Sequence, residues 1–134
     1  MIYVVDASAV VDLLVRSDRG QRVREVLVGD TNAVLVSVAH LDAEVLSALA
    51  RLHRDGRLVA DDVTELVERL GQLTMRREPI SVALLRAAWA LRDNIAIRDA
   101  LYVATAEAMH ARLVTTDDRL ARAIPEIVAD LGME

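Results

Sequence analysis

The chain has 134 residues with a formal net charge of −5, and it contains no cysteine and no lysine. Without cysteine there are no disulfides or thiolate metal sites, and without lysine there is no lysine-dependent phosphate loop. The net negative charge argues against a protein that coats nucleic acid without sequence preference. Few aromatic side chains are available to stack on bases, since the chain has one tryptophan, two tyrosines and no phenylalanine.

Apolar residues make up 54% of the sequence, and the mean hydropathy is +0.29. This predicts a tightly packed core together with an apolar subunit interface. No apolar run approaches the roughly 18 residues that a membrane span needs. The amino-terminal stretch has no basic leader and is interrupted by Asp6 and Asp12. We therefore expect a cytoplasmic protein that does not associate with membranes.

The amino-terminal half of the chain alternates strand and helix patterns. Residues 2–5 and 33–38 are continuous apolar runs, typical of strands buried on both faces. The spacing of apolar residues predicts three helices, over 8–15, 18–28 and 39–55, the last of which stops at Gly56.

The carboxyl-terminal half continues the alternation. Asp62 and Glu65 form a capping-box pattern, which predicts a helix reaching about Leu73. The other predicted elements are a brief strand over 78–80, helices over 82–92 and 98–110, a strand over 112–116, a short helix from Asp118 and an apolar piece after Pro125. This alternation predicts an α/β fold, a three-layer α/β/α sandwich with a central parallel sheet, formed by residues 1–134 as a single domain.

Acidic residues follow two of the predicted strands. Asp6 ends the first strand and Asp117 comes after the last one. Ligands of parallel sheets sit beyond the carboxyl ends of the strands, so these carboxylates are expected at one edge. Taken alone, each also suits a turn or a helix cap. Glu44 also suits the solvent boundary of its helix, and Asp99 a helix-start role.

Four segments of the sequence, in order, resemble the signature segments of one family. They are YVVDASAVVDLL, HLDAEVLSAL, IRDALYVATAEAM and LVTTDDRLA. Together they are similar to those of PIN-domain ribonucleases, and in particular of the VapC-type toxins of prokaryotic toxin–antitoxin pairs. The resemblance covers essentially the whole chain.

The resemblance implies one acidic site that is both catalytic and metal-binding, formed by Asp6, Glu44, Asp99 and Asp117. Asp6 and Asp99 would be its principal metal ligands. Family members also place hydroxyl groups near the first and last acids, which correspond here to Ser8 and to Thr115 or Thr116. Asp118 is then expected to be a helix-start residue.

A cluster of carboxylates needs a positive charge among them to stay ionised. All-oxygen ligation selects Mg²⁺, with Mn²⁺ as an alternative. The reaction that the resemblance implies is hydrolysis of an RNA phosphodiester bond by an in-line water.

Other ionisable residues receive simpler interpretations. Asp12, Asp42 and Glu107 are expected on solvated faces. The histidines lack metal-ligand spacing and are expected at the surface or at an interface; they are His40, His53 and His110. RNA requires a positive lining, for which Arg98 and Arg112 are the first candidates. The wider set is Arg76, Arg77, Arg86, Arg98, Arg112 and Arg119.

The resemblance also implies partners. They are an RNA substrate, a second copy in a homodimer, and a cognate VapB-like antitoxin, whose C-terminal segment lies in an apolar groove and presents basic side chains to the acidic site. Two other roles stay open: a PIN-domain nuclease of RNA maturation outside a toxin–antitoxin pair, and a non-catalytic PIN scaffold. The absence of lysine disfavours a response-regulator receiver, and Ser8 stands where a haloacid-dehalogenase-like phosphatase has a second aspartate.

Overall fold

The centre of the protein is a parallel sheet, seen in a computed structural model that describes residues 1–133. Its strands are β1 (Ile2–Val5), β2 (Val34–Val38), β3 (Arg76–Glu78) and β4 (Arg112–Val114). They lie in the order β3-β2-β1-β4, and every neighbouring pair is parallel. Val4 of β1 lies between Val36 of β2 and Leu113 of β4. The predicted central parallel sheet is therefore confirmed.

Within residues 1–133, seven helices flank this sheet. They are α1 (Ala7–Val15), α2 (Asp18–Gly29), α3 (Leu41–Arg54), α4 (Ala60–Gln72), α5 (Val82–Ala90), α6 (Ile97–Ala108) and α7 (Asp118–Ala123). The arrangement agrees with the predicted α/β/α sandwich. None of the helices in this described part has both the length and the apolar content required to cross a membrane.

Helix α6 lies deepest in the fold. Every residue from Ala100 to Ala106 is buried, and the helix contacts β1, β2 and β4. Three of those seven residues are alanines, whose small side chains let the helix backbone come close to the sheet. The charged first turn of α6 is thereby held beside the carboxyl ends of the strands.

Three local features differ from the predictions. Helix α4 begins at Ala60 after Val59, so Asp62 lies inside its first turn and does not cap it. Strand β3 ends at Glu78, before Pro79, which has no N–H to donate to a ladder. The apolar piece near the carboxyl terminus runs beside β4, where Leu113 exchanges backbone hydrogen bonds of 2.8 Å with Ile127 and Ala129.

Candidate active site

The carboxyl ends of three neighbouring strands lead into the polar residues of the site. Strand β1 runs directly into Asp6, β2 is followed closely by His40, and β4 by Asp117. Because β1 lies between β2 and β4, these residues gather at one edge of the sheet. The N–H of Asp6 donates to the carbonyl of Val114 at 3.1 Å, which ties the ends of β1 and β4 together.

Asp6 is nearly inaccessible to solvent, with 3% of its surface exposed. Its Oδ1 accepts from the hydroxyl of Ser8 at 2.7 Å and from the N–H of Ala9 at 3.0 Å, so it also caps α1. Burial raises the pKa of Asp6 to about 6, against the opposing effect of these hydrogen bonds and of the Thr115 hydroxyl; the charge of Asp99 raises it further. Asp6 therefore caps α1, and it is also a carboxyl group whose ionised form is disfavoured by burial.

Asp99 and Asp117 line one depression of about 440 Å³ together with Arg92 and Arg119. Desolvation raises the pKa of Asp99, and the charges of Asp117 and Glu44 raise it further. Asp117 caps α7, because its Oδ1 accepts from the N–H groups of Arg119 at 3.0 Å and Leu120 at 3.2 Å. The capping interpretation and the shared-site interpretation thus both hold for Asp117.

Glu44 projects from α3 toward α6. Its Oε1 accepts a hydrogen bond of 2.7 Å from the hydroxyl of Tyr102, and it lies 3.2 Å from Nε2 of His40. Its Oε2 lies 3.6 Å from a guanidinium nitrogen of Arg98. Glu44, Arg98 and Asp117 line a second depression of about 490 Å³. Because Asp117 lines both depressions, the two adjoin.

The hydroxyl groups near Asp6 connect α1 to the loop after β4. Oγ of Ser8 lies 3.1 Å from Oγ1 of Thr115 and accepts from the N–H of Thr116 at 3.1 Å. Oγ1 of Thr115 in turn accepts from the N–H of Asp117 at 3.1 Å. Of the two predicted alternatives, Thr115 therefore belongs to the Asp6 side, whereas Thr116 turns its hydroxyl toward Asp12 at 2.5 Å.

The donor set at this edge fits a hard divalent cation by its chemistry. Within residues 1–133, no three acidic or histidine side chains converge closely enough to form a ready-made cage. Magnesium, however, usually binds one or two carboxylates directly and keeps several of its waters. Burial is the main cause of the raised pKa values of Asp6 and Asp99, and neighbouring carboxylates add to it; a bound cation would favour the ionised form of both groups. Carboxylates and hydroxyls without thiolates suit Mg²⁺ or Mn²⁺.

Two of the predicted arginines lie at the site. Arg98 lines the depression that contains Glu44, with 77% of its side chain exposed, and Arg119 lines the one that contains Asp99. Three further arginines line these depressions without having been singled out from the sequence: Arg19, Arg51 and Arg92.

The other predicted arginines lie elsewhere. Arg112 was wrongly placed among the first candidates, because it opens β4 at the opposite edge of the sheet and donates to the carbonyl of Glu126 at 2.9 Å. Arg77 is held by Asp42 at 2.9 Å and by backbone carbonyls. The remaining two line neither depression: Arg76 pairs with Glu78, and Arg86 is exposed on α5.

His40 is more enclosed than a surface residue, and it contacts the site, which the sequence did not predict. Its side chain is only 16% exposed, and its ring packs on that of Tyr102 with centroids 4.6 Å apart. The available signals were a histidine four residues before Glu44, just ahead of its helix, and a tyrosine three residues after Asp99. His53 and His110 are exposed, as expected.

The acidic residues that were not assigned to the site agree with their predictions except for Asp12. Glu107 is exposed, and Asp42 is half-exposed in its ion pair with Arg77. Asp12 is partly buried, because Ser17 and Thr116 both donate to its carboxylate, so its prediction as a solvated residue was wrong. Asp118 begins α7, as predicted.

Most of this chain is similar to known proteins. A profile of the PIN domain family matches residues 3–124. Ribonuclease VapC3 of Mycobacterium tuberculosis is 49% identical over 123 residues, which cover 91% of this chain and 87% of VapC3.

Solved structures with similar folds share less sequence. The Mycobacterium tuberculosis toxin VapC20, described as cleaving the sarcin–ricin loop, has a TM-score of 0.69 and 17% identity, covering 92% of this chain and 95% of VapC20. VapBC-1 from nontypeable Haemophilus influenzae has a TM-score of 0.67 and 19% identity, covering 99% of this chain and all of the matched chain.

Proposed function

The chain belongs to the PIN domain family and, within it, to the VapC type, and from this membership we propose that it is a toxin endoribonuclease of a type II toxin–antitoxin pair. Its activity is hydrolysis of RNA phosphodiester bonds, and residues 1–134 act as a single PIN domain in the cytoplasm. The 49% identity to Ribonuclease VapC3 over most of both chains supports this assignment over a role unrelated to RNA.

One observation carries the proposal for the site. Four acidic side chains come from α3, from the start of α6 and from the ends of β1 and β4, and they gather at one edge of the sheet. Burial raises the pKa of Asp99 and of Asp6, and the neighbouring acids raise both further: Asp117 and Glu44 act on Asp99, and Asp99 acts on Asp6. We therefore assign catalysis and metal binding to these acids, Asp6, Glu44, Asp99 and Asp117.

The roles within the site are those that the resemblance to the family implies. Asp6 and Asp99 would hold a Mg²⁺ or Mn²⁺ ion most directly, and Asp117 and Glu44 would complete the acidic ring directly or through water. Such an ion, when bound, polarises a phosphoryl oxygen and lowers the pKa of a bound water. Ser8 and Thr115 keep Asp6 oriented through the hydroxyl contacts at the ends of β1 and β4. Glu44 and Asp117 orient the attacking water.

The substrate is held by arginines at the rims of the two depressions. Arg98 and Arg119 offer planar guanidinium groups that suit phosphate oxygens. These arginines would bind the sugar-phosphate backbone on both sides of the cleaved bond. They supply a local positive lining within a chain whose net charge is −5.

Protein partners complete the proposal. The similarity to the VapBC-1 assembly supports a VapB-like antitoxin as the inhibitor of this chain. Apolar side chains exposed on α5, including Trp89 at 60% and Val82 at 63%, support a further protein interface, which we assign to a homodimer. Light scattering of the protein alone would give the mass of a dimer if this assignment is right.

The function is tested with purified protein, a mixed RNA substrate and Mg²⁺. We expect cleavage that stops in EDTA and in an Asp6→Asn variant that is folded by circular dichroism. Cleavage that persists in either case would contradict the site, and no cleavage by the wild type would favour a non-catalytic scaffold. Growth arrest on expression, relieved by a small DNA-binding protein encoded beside this gene, would separate a toxin from an RNA-maturation nuclease.

A further inference from the structure

Glu44 differs from the other three acids because one of its oxygens is contacted by two neighbouring side chains, a tyrosine hydroxyl that donates a hydrogen bond and a histidine nitrogen at ion-pair distance. Oε1 receives the hydroxyl hydrogen of Tyr102 at 2.7 Å and faces Nε2 of His40 at 3.2 Å. Oε2 faces the exposed guanidinium of Arg98 at 3.6 Å, which is beyond hydrogen-bond distance. The two carboxylate oxygens therefore have different surroundings.

The geometry determines which nitrogen of His40 carries a hydrogen. Nε2 lies 3.1 Å from the carbonyl oxygen of Arg98 and 3.2 Å from Oε1 of Glu44, and both of these atoms are acceptors. Nε2 therefore carries a hydrogen, which it donates to the carbonyl of Arg98, while Oε1 of Glu44 faces the same N–H group at ion-pair distance. Nδ1 is buried and has no hydrogen-bond partner among residues 1–133, so Nε2 makes the ring's polar contacts.

Both side chains that contact Oε1 are themselves held firmly. Tyr102 is 1% exposed and lies within the buried run of α6, and its ring packs against His40. His40 precedes the first turn of α3, four residues before Glu44. The two side chains that contact Oε1 thus come from the middle of α6 and from the residue just before α3, and Glu44 lies between them.

We infer that Tyr102 and His40 are positioning residues that hold Oε1 of Glu44 and leave Oε2 as the oxygen available to a cation or its water. This inference rests on the proposed function, because it assigns Glu44 to the divalent-cation site. Partners that orient the ligands of a metal typically change its affinity or the activity by 10–100-fold when they are removed.

The first test is Tyr102→Phe, which removes one hydroxyl and keeps the aromatic ring. We expect the affinity for Mn²⁺, measured by calorimetry without RNA, to fall about tenfold. Tyr3→Phe is the matched control, since Tyr3 is also buried and its hydroxyl also donates to a carboxylate, that of Asp30 at 3.1 Å, away from the site. Equal Mn²⁺ affinities of Tyr102→Phe and the wild type would overturn the inference, as would a wild type that does not bind Mn²⁺.

A double-mutant cycle separates positioning from a general structural effect. In a Glu44→Gln background, Tyr102→Phe should weaken Mn²⁺ binding by less than about twofold, because the carboxylate through which Tyr102 acts on the cation has been replaced. A full additive loss would mean that Tyr102 acts only through packing. Since neither measurement uses RNA, a wild type that binds Mn²⁺ but cuts no RNA would reject the ribonuclease and leave the positioning role standing.

Two variants of His40 test which nitrogen matters, and they keep the inference testable if Tyr102→Phe does not fold. The amide nitrogen of glutamine reaches the position of Nε2, whereas that of asparagine reaches the position of Nδ1. We expect His40→Gln to bind Mn²⁺ within about threefold of the wild type and His40→Asn to bind about tenfold more weakly. The reverse order would contradict the proposed donor.

Discussion

Thr116 donates its hydroxyl hydrogen to the carboxylate of Asp12 over 2.5 Å, which ties the loop after β4 to the middle of α1. The other oxygen of Asp12 accepts from Ser17 at 2.7 Å, and Arg19 donates to the carbonyl of Thr116 at 2.6 Å. The loop that carries Asp117 is therefore fastened by residues of α1 and α2. An acid that the sequence places on a solvated face thus supports the site.

Asp12→Ala should destabilise the protein, because it leaves the buried hydroxyl of Thr116 without an acceptor. The loss is about 1–3 kcal/mol, which corresponds to several degrees in the melting temperature. Glu107→Ala, at an exposed position on α6, is the matched control and should melt like the wild type. Differential scanning calorimetry measures both variants, and equal melting temperatures would show that the link carries no stability.

Asp6→Asn should stabilise the metal-free protein near neutral pH. The pKa of Asp6 is raised from 3.8 to about 6, so ionised Asp6 destabilises the folded state by about 3 kcal/mol above pH 6. The wild type loses this stability as the pH rises from about 4 to 6, whereas the variant has no such titration and keeps its acceptor oxygen.

Calorimetry in EDTA at about pH 7.5 and pH 4 tests this sign. The variant should have a higher melting temperature than the wild type at the higher pH, and this difference in melting temperature should be smaller at the lower pH. Addition of Mg²⁺ should then raise the melting temperature of the wild type alone. A variant that melts lower than the wild type at the higher pH would contradict the burial penalty.

Metal affinity should fall as the pH is lowered. The raised pKa values of Asp6 and Asp99 mean that protons compete with the cation at less acidic pH than for ordinary carboxylates. We expect the affinity for Mn²⁺ to decline below about pH 6, approaching tenfold per pH unit for each competing proton. Titration calorimetry across this range gives the profile, and an affinity independent of pH would place the ion elsewhere.

Arg119→Ala should weaken RNA binding, whereas Arg112→Ala should not. Arg119 lines the depression that contains Asp99, and Arg112 lies at the opposite edge of the sheet. Fluorescence anisotropy in an Asp6→Asn background measures binding without cleavage. Loss of one phosphate contact should reduce the slope of log affinity against log salt by about 0.7. Equal effects of the two changes would mean that RNA does not follow this edge.

The local structure and the family could be predicted from the sequence because their signals lie in neighbouring residues. Apolar runs identified β1 and β2, apolar spacing identified α3, and the four acidic segments identified the PIN domain. The grouping of Asp6 with Asp117 also followed from sequence, because both come after strands of a parallel sheet.

Side-chain partners were decided only by the tertiary structure. Nothing near His40 in the sequence indicates that Tyr102 lies against its ring, and nothing near Asp12 indicates that Thr116 donates to it. The position of Arg112, by contrast, was available from the sequence, because it opens a parallel strand whose carboxyl end carries the site. Helix and strand patterns follow from short-range periodicity, whereas hydrogen-bond partners depend on ångström distances between segments that only packing brings together.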